Sequence, residues 1–300
     1  MTSILLYAVV ALGYLGLAAL AWRSTVQAAR APALAHAPAA SGIEAAFPAS
    51  QRAALAAIWV AHFFLMRGDF IGDGVTRFGF ALALSATMWL GVAVFWIESL
   101  FYALAGMRLL ILPLAALCAL LTWWFPGSTA LTNVSMVHDP AFEAHLVVAL
   151  AAYALLTIAA LQALLMAALD RWLHRAEAAP AGGDGFWVRF ERALLRPLPP
   201  LMTMERLLFQ LVLMGFILLT LTVLTGVVFS EALFGQPMKF DHKTVFTLIS
   251  WMIFAALLGG RLRYGWRGRV ALRWTLSGFI AMLLAYAGSR FVLEVILHRV

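Results

Sequence analysis

An all-α, polytopic membrane helix bundle with eight transmembrane helices and both termini periplasmic is what this sequence predicts, on three observations. Apolar residues make up 64% of the 300-residue chain and charged residues only 12%. Mean hydropathy is +0.93, far outside the range of water-soluble domains. Eight apolar runs approach or exceed the roughly 20 helical residues that a hydrocarbon core requires. Finally, fifteen of the 21 Lys and Arg residues fall on one set of alternating connections, and the positive-inside rule puts that set in the cytoplasm.

The runs cover 2–22, 53–72, 78–104, 109–125, 142–169, 205–233, 243–260 and 273–297. So little chain lies between them that residues 1–300 form a single integral membrane domain, with two flexible cytoplasmic linkers at about 27–49 and 176–200. The first run has no basic segment ahead of it and is followed by Arg23, the reverse of a cleavable signal, so it stays as a helix. Residues 27–49, rich in Ala and Pro with no period, fit a linker. Cys118, the single cysteine, lies inside the fourth run. It excludes disulfides and CxxCH haem attachment on this chain and suits a small packing residue.

After the fifth run, Phe186, Trp187, Phe190 and Leu194 recur at helical spacing against Arg189, Arg192 and Arg196, the pattern of a short helix lying in the inner interface. A loop with incidental aromatics is the alternative. Pro199 and Pro200 stop that segment, and Thr203 is a plausible N-cap for the sixth run, with Glu205 in its first turn. The seventh run ends in "GGRLRYGWRGR", where the paired glycines are expected to break the helix and the arginines to face anionic headgroups. The net charge of +7 is therefore topological, and a nucleic-acid partner is not expected.

Five of the seven histidines fall toward the outer half of this arrangement: His62, His138, His145, His242 and His298. Neutral imidazole is the commonest metal ligand and an axial ligand for haem iron. His62, in "AIWVAHFFLM", is the costliest of them, because a polar ring in hydrocarbon needs a partner or a function. It is either bonded to a neighbouring helix or a ligand. His145 heads the fifth run in "DPAFEAHLVVALAAYALL" and could stay half hydrated at the helix mouth. Glu98, Arg290 and Glu294 are further ionisable candidates, the last two spaced four apart to pair on one helical face. Asp241, His242 and Lys243 gather ahead of the seventh run, where an acid is expected for capping and where a carboxylate beside an imidazole could form a weak cation site.

"AHLVVALAAYALL", "PPLMTMERLLF", "LTVLTGVVF", "GWRGR" and "LAYAGSRF" together resemble the cytochrome c assembly membrane proteins, the haem-handling group of CcsA, CcmC and the HemX-like proteins, and most nearly the YpjD branch of bacterial inner-membrane proteins. The resemblance implies a transmembrane histidine pair holding haem and two outer histidines flanking a tryptophan-rich loop. On it, His62 matches the first transmembrane histidine and His145 the first outer one. The second transmembrane histidine falls near Gly259, which cannot ligate, and the second outer one beside Leu297, one residue from His298. The loop keeps Asp241 and Lys243 but has Phe229, Phe234 and Phe240 where indoles are expected, and His242 in place of proline. Phenylalanines can still stack on a porphyrin face.

The sequence therefore leads to a non-enzymatic inner-membrane protein that binds or relays haem on its outer side. His62 and His145 are the iron ligands, His242 and His298 the substitute ones, and Phe234, Phe240 and Asp241 belong to the aromatic lid. Membrane lipids and other cytochrome c or haem biogenesis proteins are the expected partners. A membrane accessory or regulator with a degenerate haem site is the rival reading. An ion or solute transporter using Asp241, His242, Arg290 and Glu294 is a third, against which the lack of an evident inverted repeat counts.

Overall fold

A computed structural model describes residues 2–30, 47–72, 75–76, 79–125, 140–178, 185–195, 197–234 and 242–285. The helices are α1 (Thr2–Arg30), α2 (Ala49–Phe70), α3 (Phe80–Glu98), α4 (Ala105–Trp124), α5 (Pro140–Ala178), α6 (Phe186–Leu195), α7 (Leu201–Phe234), α8 (His242–Tyr264) and α9 (Gly268–Leu283). Between α2 and α3 a two-residue antiparallel ladder pairs Ile71 with Thr76 and Gly72 with Val75. Otherwise the described chain is helical, as the composition requires: in lipid the backbone must satisfy its own hydrogen bonds.

Among the described residues seven helices, α1 to α5, α7 and α8, are long and apolar enough to cross a membrane. The eighth expected span is described only through Ala285, as α9 and two further residues. The surface supports a lipid surrounding. On α1 the exposed Leu5, Val9 and Leu12 are as apolar as the buried Tyr7, Val10 and Tyr14, where a helix in water would be polar.

Helices α1 to α4 form one group, with α1 against α4 and α2 against α3, and α5, α7, α8 and α9 form the other. Helix α5 joins the two by packing on α3 and α4. The core runs through both groups and includes Tyr14, Phe95, Met107, Ile158, Met204 and Phe254. Cys118 is a buried free thiol within it, as expected of a packing residue. Two flat rings clasp α2 to α3. Trp59 and Trp89 stack with centroids 4.3 Å apart, and each indole N–H donates to the other's backbone carbonyl at 2.9 Å.

Several boundaries differ from the sequence reading. Helix α1 runs on to Arg30 and α2 starts at Ala49, so the first linker is reduced to residues 31–48, of which 31–46 lie outside the described residues. The second is interrupted by α6, whose Phe190 stacks on Trp22 of α1 with centroids 5.7 Å apart and whose Leu194 is buried; the amphipathic spacing was the correct signal. Thr203 is not an N-cap. Helix α7 begins two residues earlier, and Pro200 O accepts from Thr203 N at 2.9 Å and Met204 N at 3.1 Å.

The paired glycines Gly259 and Gly260 do not end α8, which continues to Tyr264. The stop comes at Gly265, with φ +66°, a left-handed conformation that costs glycine little. Gly260 serves instead as a seat: a side chain there would collide with the ring of Trp266, which folds back on the helix. Arg108, counted as a loop charge, is only 2% exposed. It donates to Gln51 Oε1 at 2.8 Å and lies 4.7 Å over the Phe47 ring.

A candidate haem-ligand site at the histidine end

The two histidines that carry the haem expectation sit in different helix groups. His62, on α2, is fully buried at 0% exposure. Its Nδ1 shares a hydrogen bond of 3.1 Å with the Tyr14 hydroxyl of α1, and its Nε2 one of 2.8 Å with Ser85 Oγ of α3. The Tyr14 ring meets the imidazole edge-on, centroids 5.7 Å apart. Both ring nitrogens are thus spent on neighbouring helices, so ligation by His62 requires one of these bonds to open. Tyr14 and Ser85 were missed from sequence. A tyrosine hydroxyl in mid-span is as much in need of a partner as the histidine, and that rule could have flagged Tyr14.

His145, one turn into α5, is half-buried. Its Nδ1 lies 2.7 Å from Thr225 Oγ1 of α7. Thr225 Oγ1 donates to Leu221 O at 2.7 Å, the back-bond common for Thr in a helix. A hydroxyl has one proton to give. With that proton on the Leu221 carbonyl, Thr225 accepts from His145 Nδ1–H, and the imidazole lone pair is on Nε2. A proton fixed on one nitrogen by a hydrogen-bond acceptor, with the lone pair on the other, is the donor set that metal-ligating imidazoles use.

Helix α8 brings its own groups to the same end. The exposed Lys243 lies within electrostatic reach of His145. Two turns below His145, the Tyr153 hydroxyl bonds the side chain of Thr247. Below that, Trp251 donates from Nε1 to Thr220 Oγ1 at 2.9 Å and stacks on Phe216, centroids 5.7 Å apart. These contacts tie α5, α7 and α8 together beneath the histidine. His242 opens α8 and is exposed. Phe234 closes α7. Phe240, Asp241, His298, Arg290 and Glu294 lie outside the described residues, as does His138. Among the described residues no three His, Cys, Asp or Glu side chains converge on a point, so a many-ligand ion site is not formed by them. Glu98 ends α3, where its backbone carbonyl accepts from Phe101 N and Tyr102 N.

Residues 50–297 match the sequence profile of the family described as cytochrome C assembly protein. The chain belongs to that family. It is a multi-pass protein of the bacterial inner membrane. It is 33% identical over 172 residues to inner membrane protein YpjD of Escherichia coli strain K12, covering 56% of this chain and 59% of that one. It is 35% identical over 89 residues to cytochrome c biogenesis protein CcsA of Prochlorococcus marinus strain MIT 9515, covering 30% of this chain and 28% of the relative. The match to CcsA of Gloeobacter violaceus is 33% over 92 residues, or 31% and 27%. The chain thus spans about three-fifths of the length of YpjD and under a third of either CcsA.

Proposed function

We propose that this member of the cytochrome c assembly family crosses the membrane eight times with both termini outside, and that it captures haem at the outer face for delivery to other proteins of cytochrome c or haem biogenesis. His145 is the axial ligand. The observation that carries this is the half-buried placement of His145 near one end of the bundle, where its Nδ1 is bonded to Thr225 of α7. Lys243 is placed to neutralise a haem carboxylate. His62 acts as a buried cross-link of three helices. Haem is cargo in this reading, and no bond of it is made or broken by the protein.

Kinship with CcsA, a cytochrome c biogenesis protein by its name, supports the class of cargo. The arginines support the outer placement: Arg261 and Arg263 lie in the last turn of α8 and Arg269 bonds Asp170, far along α5 from His145, as the positive-inside rule expects of a cytoplasmic face. A membrane accessory without haem is the second reading, favoured by glycine at position 259 and by the closed hydrogen bonding of His62.

The optical spectrum of the detergent-purified protein, before and after haem supplementation and reduction, separates the two. A Soret band supports haem handling, and its absence after supplementation supports the accessory role. A reporter fused to the carboxyl end checks the orientation: activity of a periplasmic reporter is expected, and activity of a cytoplasmic one would invert the assignment of the faces.

A further inference from the structure

The arginine end of the bundle holds a constellation that haem capture leaves unused. The three-residue turn between α8 and α9 is fixed by Gly265 and Gly268, both at positive φ, of 66° and 54°. It is further fixed by Trp266, whose backbone N–H bonds Gly260 O at 3.3 Å and whose ring leans on Trp274, centroids 5.2 Å apart. So anchored, the turn carries Arg267 to the start of α7. There Arg267 Nε lies 3.7 Å from Glu205 Oε1, and Gly268 N donates to Glu205 Oε2 at 3.3 Å. The segments "PPLMTMERLLF" and "GWRGR", far apart in sequence, meet at this point.

Arg261, on the last turn of α8, lies over the Phe209 ring with its guanidinium carbon 3.4 Å from the centroid. Its Nη1 is buried and has no hydrogen-bond partner among the described residues. A guanidinium over an aromatic face gives up hydration on that side, and a buried donor without an acceptor is costly. Beside it a cavity of about 200 Å³ is lined by Met202, Thr203, Glu205, Arg206, Arg261 and Arg267. Three guanidinium groups face one carboxylate there, and the cavity opens at the N-terminal turn of the 34-residue α7, whose dipole adds positive potential. The volume is below the roughly 300–1,000 Å³ of pockets for drug-sized molecules and suits a small charged group.

We propose that this cavity binds a phosphate-bearing anion, held by the guanidinium groups of Arg206, Arg261 and Arg267, with Glu205 as the internal competitor for Arg267. Planar guanidinium forks match phosphate oxygens two at a time. An anionic phospholipid headgroup and a free phosphate ester share this chemistry, and a site at the membrane's arginine-rich face is open to both. Glu205 also makes the site adjustable, because it holds Arg267 while the cavity is empty and opposes the anion when it arrives.

The test uses the full chain, purified in detergent and freed of lipid, in two arms. Inorganic phosphate is titrated calorimetrically, and the protein is separately placed in nanodiscs of phosphatidylglycerol or of phosphatidylcholine and assayed for retained lipid by native mass spectrometry. Saturable binding in either arm is expected, weakened roughly tenfold for each of Arg261→Gln and Arg267→Gln. Glu205→Gln, which keeps an oxygen for Gly268 N while removing the charge, is expected to bind more tightly than the wild type. Arg206→Gln, at an exposed position, gives a variant that folds should the others not. Phosphate binding alone identifies a soluble source, and selective phosphatidylglycerol retention a lipid one. No binding in either arm, unchanged affinity in the arginine variants, or weaker binding by Glu205→Gln would overturn the site and leave the cluster as a clamp of the fold. None of these readouts involves pigment or His145, so this test and that of the haem site fail independently.

Discussion

His62 and His145 are the same side chain in two environments, and the contrast separates what a buried imidazole does for a membrane protein from what it does for a ligand. At His62 three helices converge, the ring is sealed from the surroundings, and both nitrogens answer to protein hydroxyls. At His145 two helices meet near a bundle end, the ring is half-buried, and its Nδ1 bonds the Thr225 hydroxyl, which also back-bonds Leu221 O. Full satisfaction makes the first a joint. An exposed edge near the end of the bundle is what the proposed ligand role of the second rests on.

The comparison breaks first on stability. His62→Ala empties a core position and leaves Tyr14 Oη and Ser85 Oγ without their partner, so a loss of about 3–5 kcal/mol is expected, in the range of aromatic truncations. His145→Ala, at a half-buried position, is expected to cost less than about 1 kcal/mol. Thermal unfolding of both in one detergent measures the gap, and equal losses would remove the distinction. Next in size is Thr225→Val, which deletes the acceptor for Nδ1–H and should weaken haem binding about 10-fold or more, as loss of an outer-shell partner does. Thr225→Ser restores it, and titration of haem against each variant gives the ratio. Smaller again is Tyr14→Phe, expected to cost about 0.6–1.7 kcal/mol, the span for hydrogen bonds between membrane helices. A double-mutant cycle with His62→Phe should show coupling between the two. The smallest effect is expected from Trp89→Phe, which loses one of the two indole-to-carbonyl bonds of the α2–α3 clasp and keeps most of the stacking, roughly 0.5–1.5 kcal/mol by the same assay.

The helical architecture was legible because an apolar run of about 20 residues is the length at which an α-helix, bonding its own backbone, crosses the hydrocarbon core. Helix ends were less so. Gly259 and Gly260 look like a stop signal by composition, yet a helix tolerates glycine where a neighbour needs the room, and Trp266, which takes that room, lies beyond what a local rule sees. Arg108 looked like a loop charge for the same reason: its partners arrive from elsewhere in the chain, Gln51 from the first turn of α2 and Phe47 from just ahead of it. For the site, the positions His62 and His145 were visible as costly residues in apolar sequence, while their difference in role was not. It depends on Tyr14, Ser85 and Thr225, which are 48, 23 and 80 residues distant in the chain. Periodicity is silent on which helices become neighbours.

The measurement that bears most directly on the account is the reduced haem spectrum of two variants purified side by side after haem supplementation, His145→Gln and His62→Gln, the latter chosen because an amide can still reach Tyr14 and Ser85. The account predicts that His62→Gln keeps the wild-type band and His145→Gln loses it. Pigment that survives in His145→Gln and disappears in His62→Gln would contradict it.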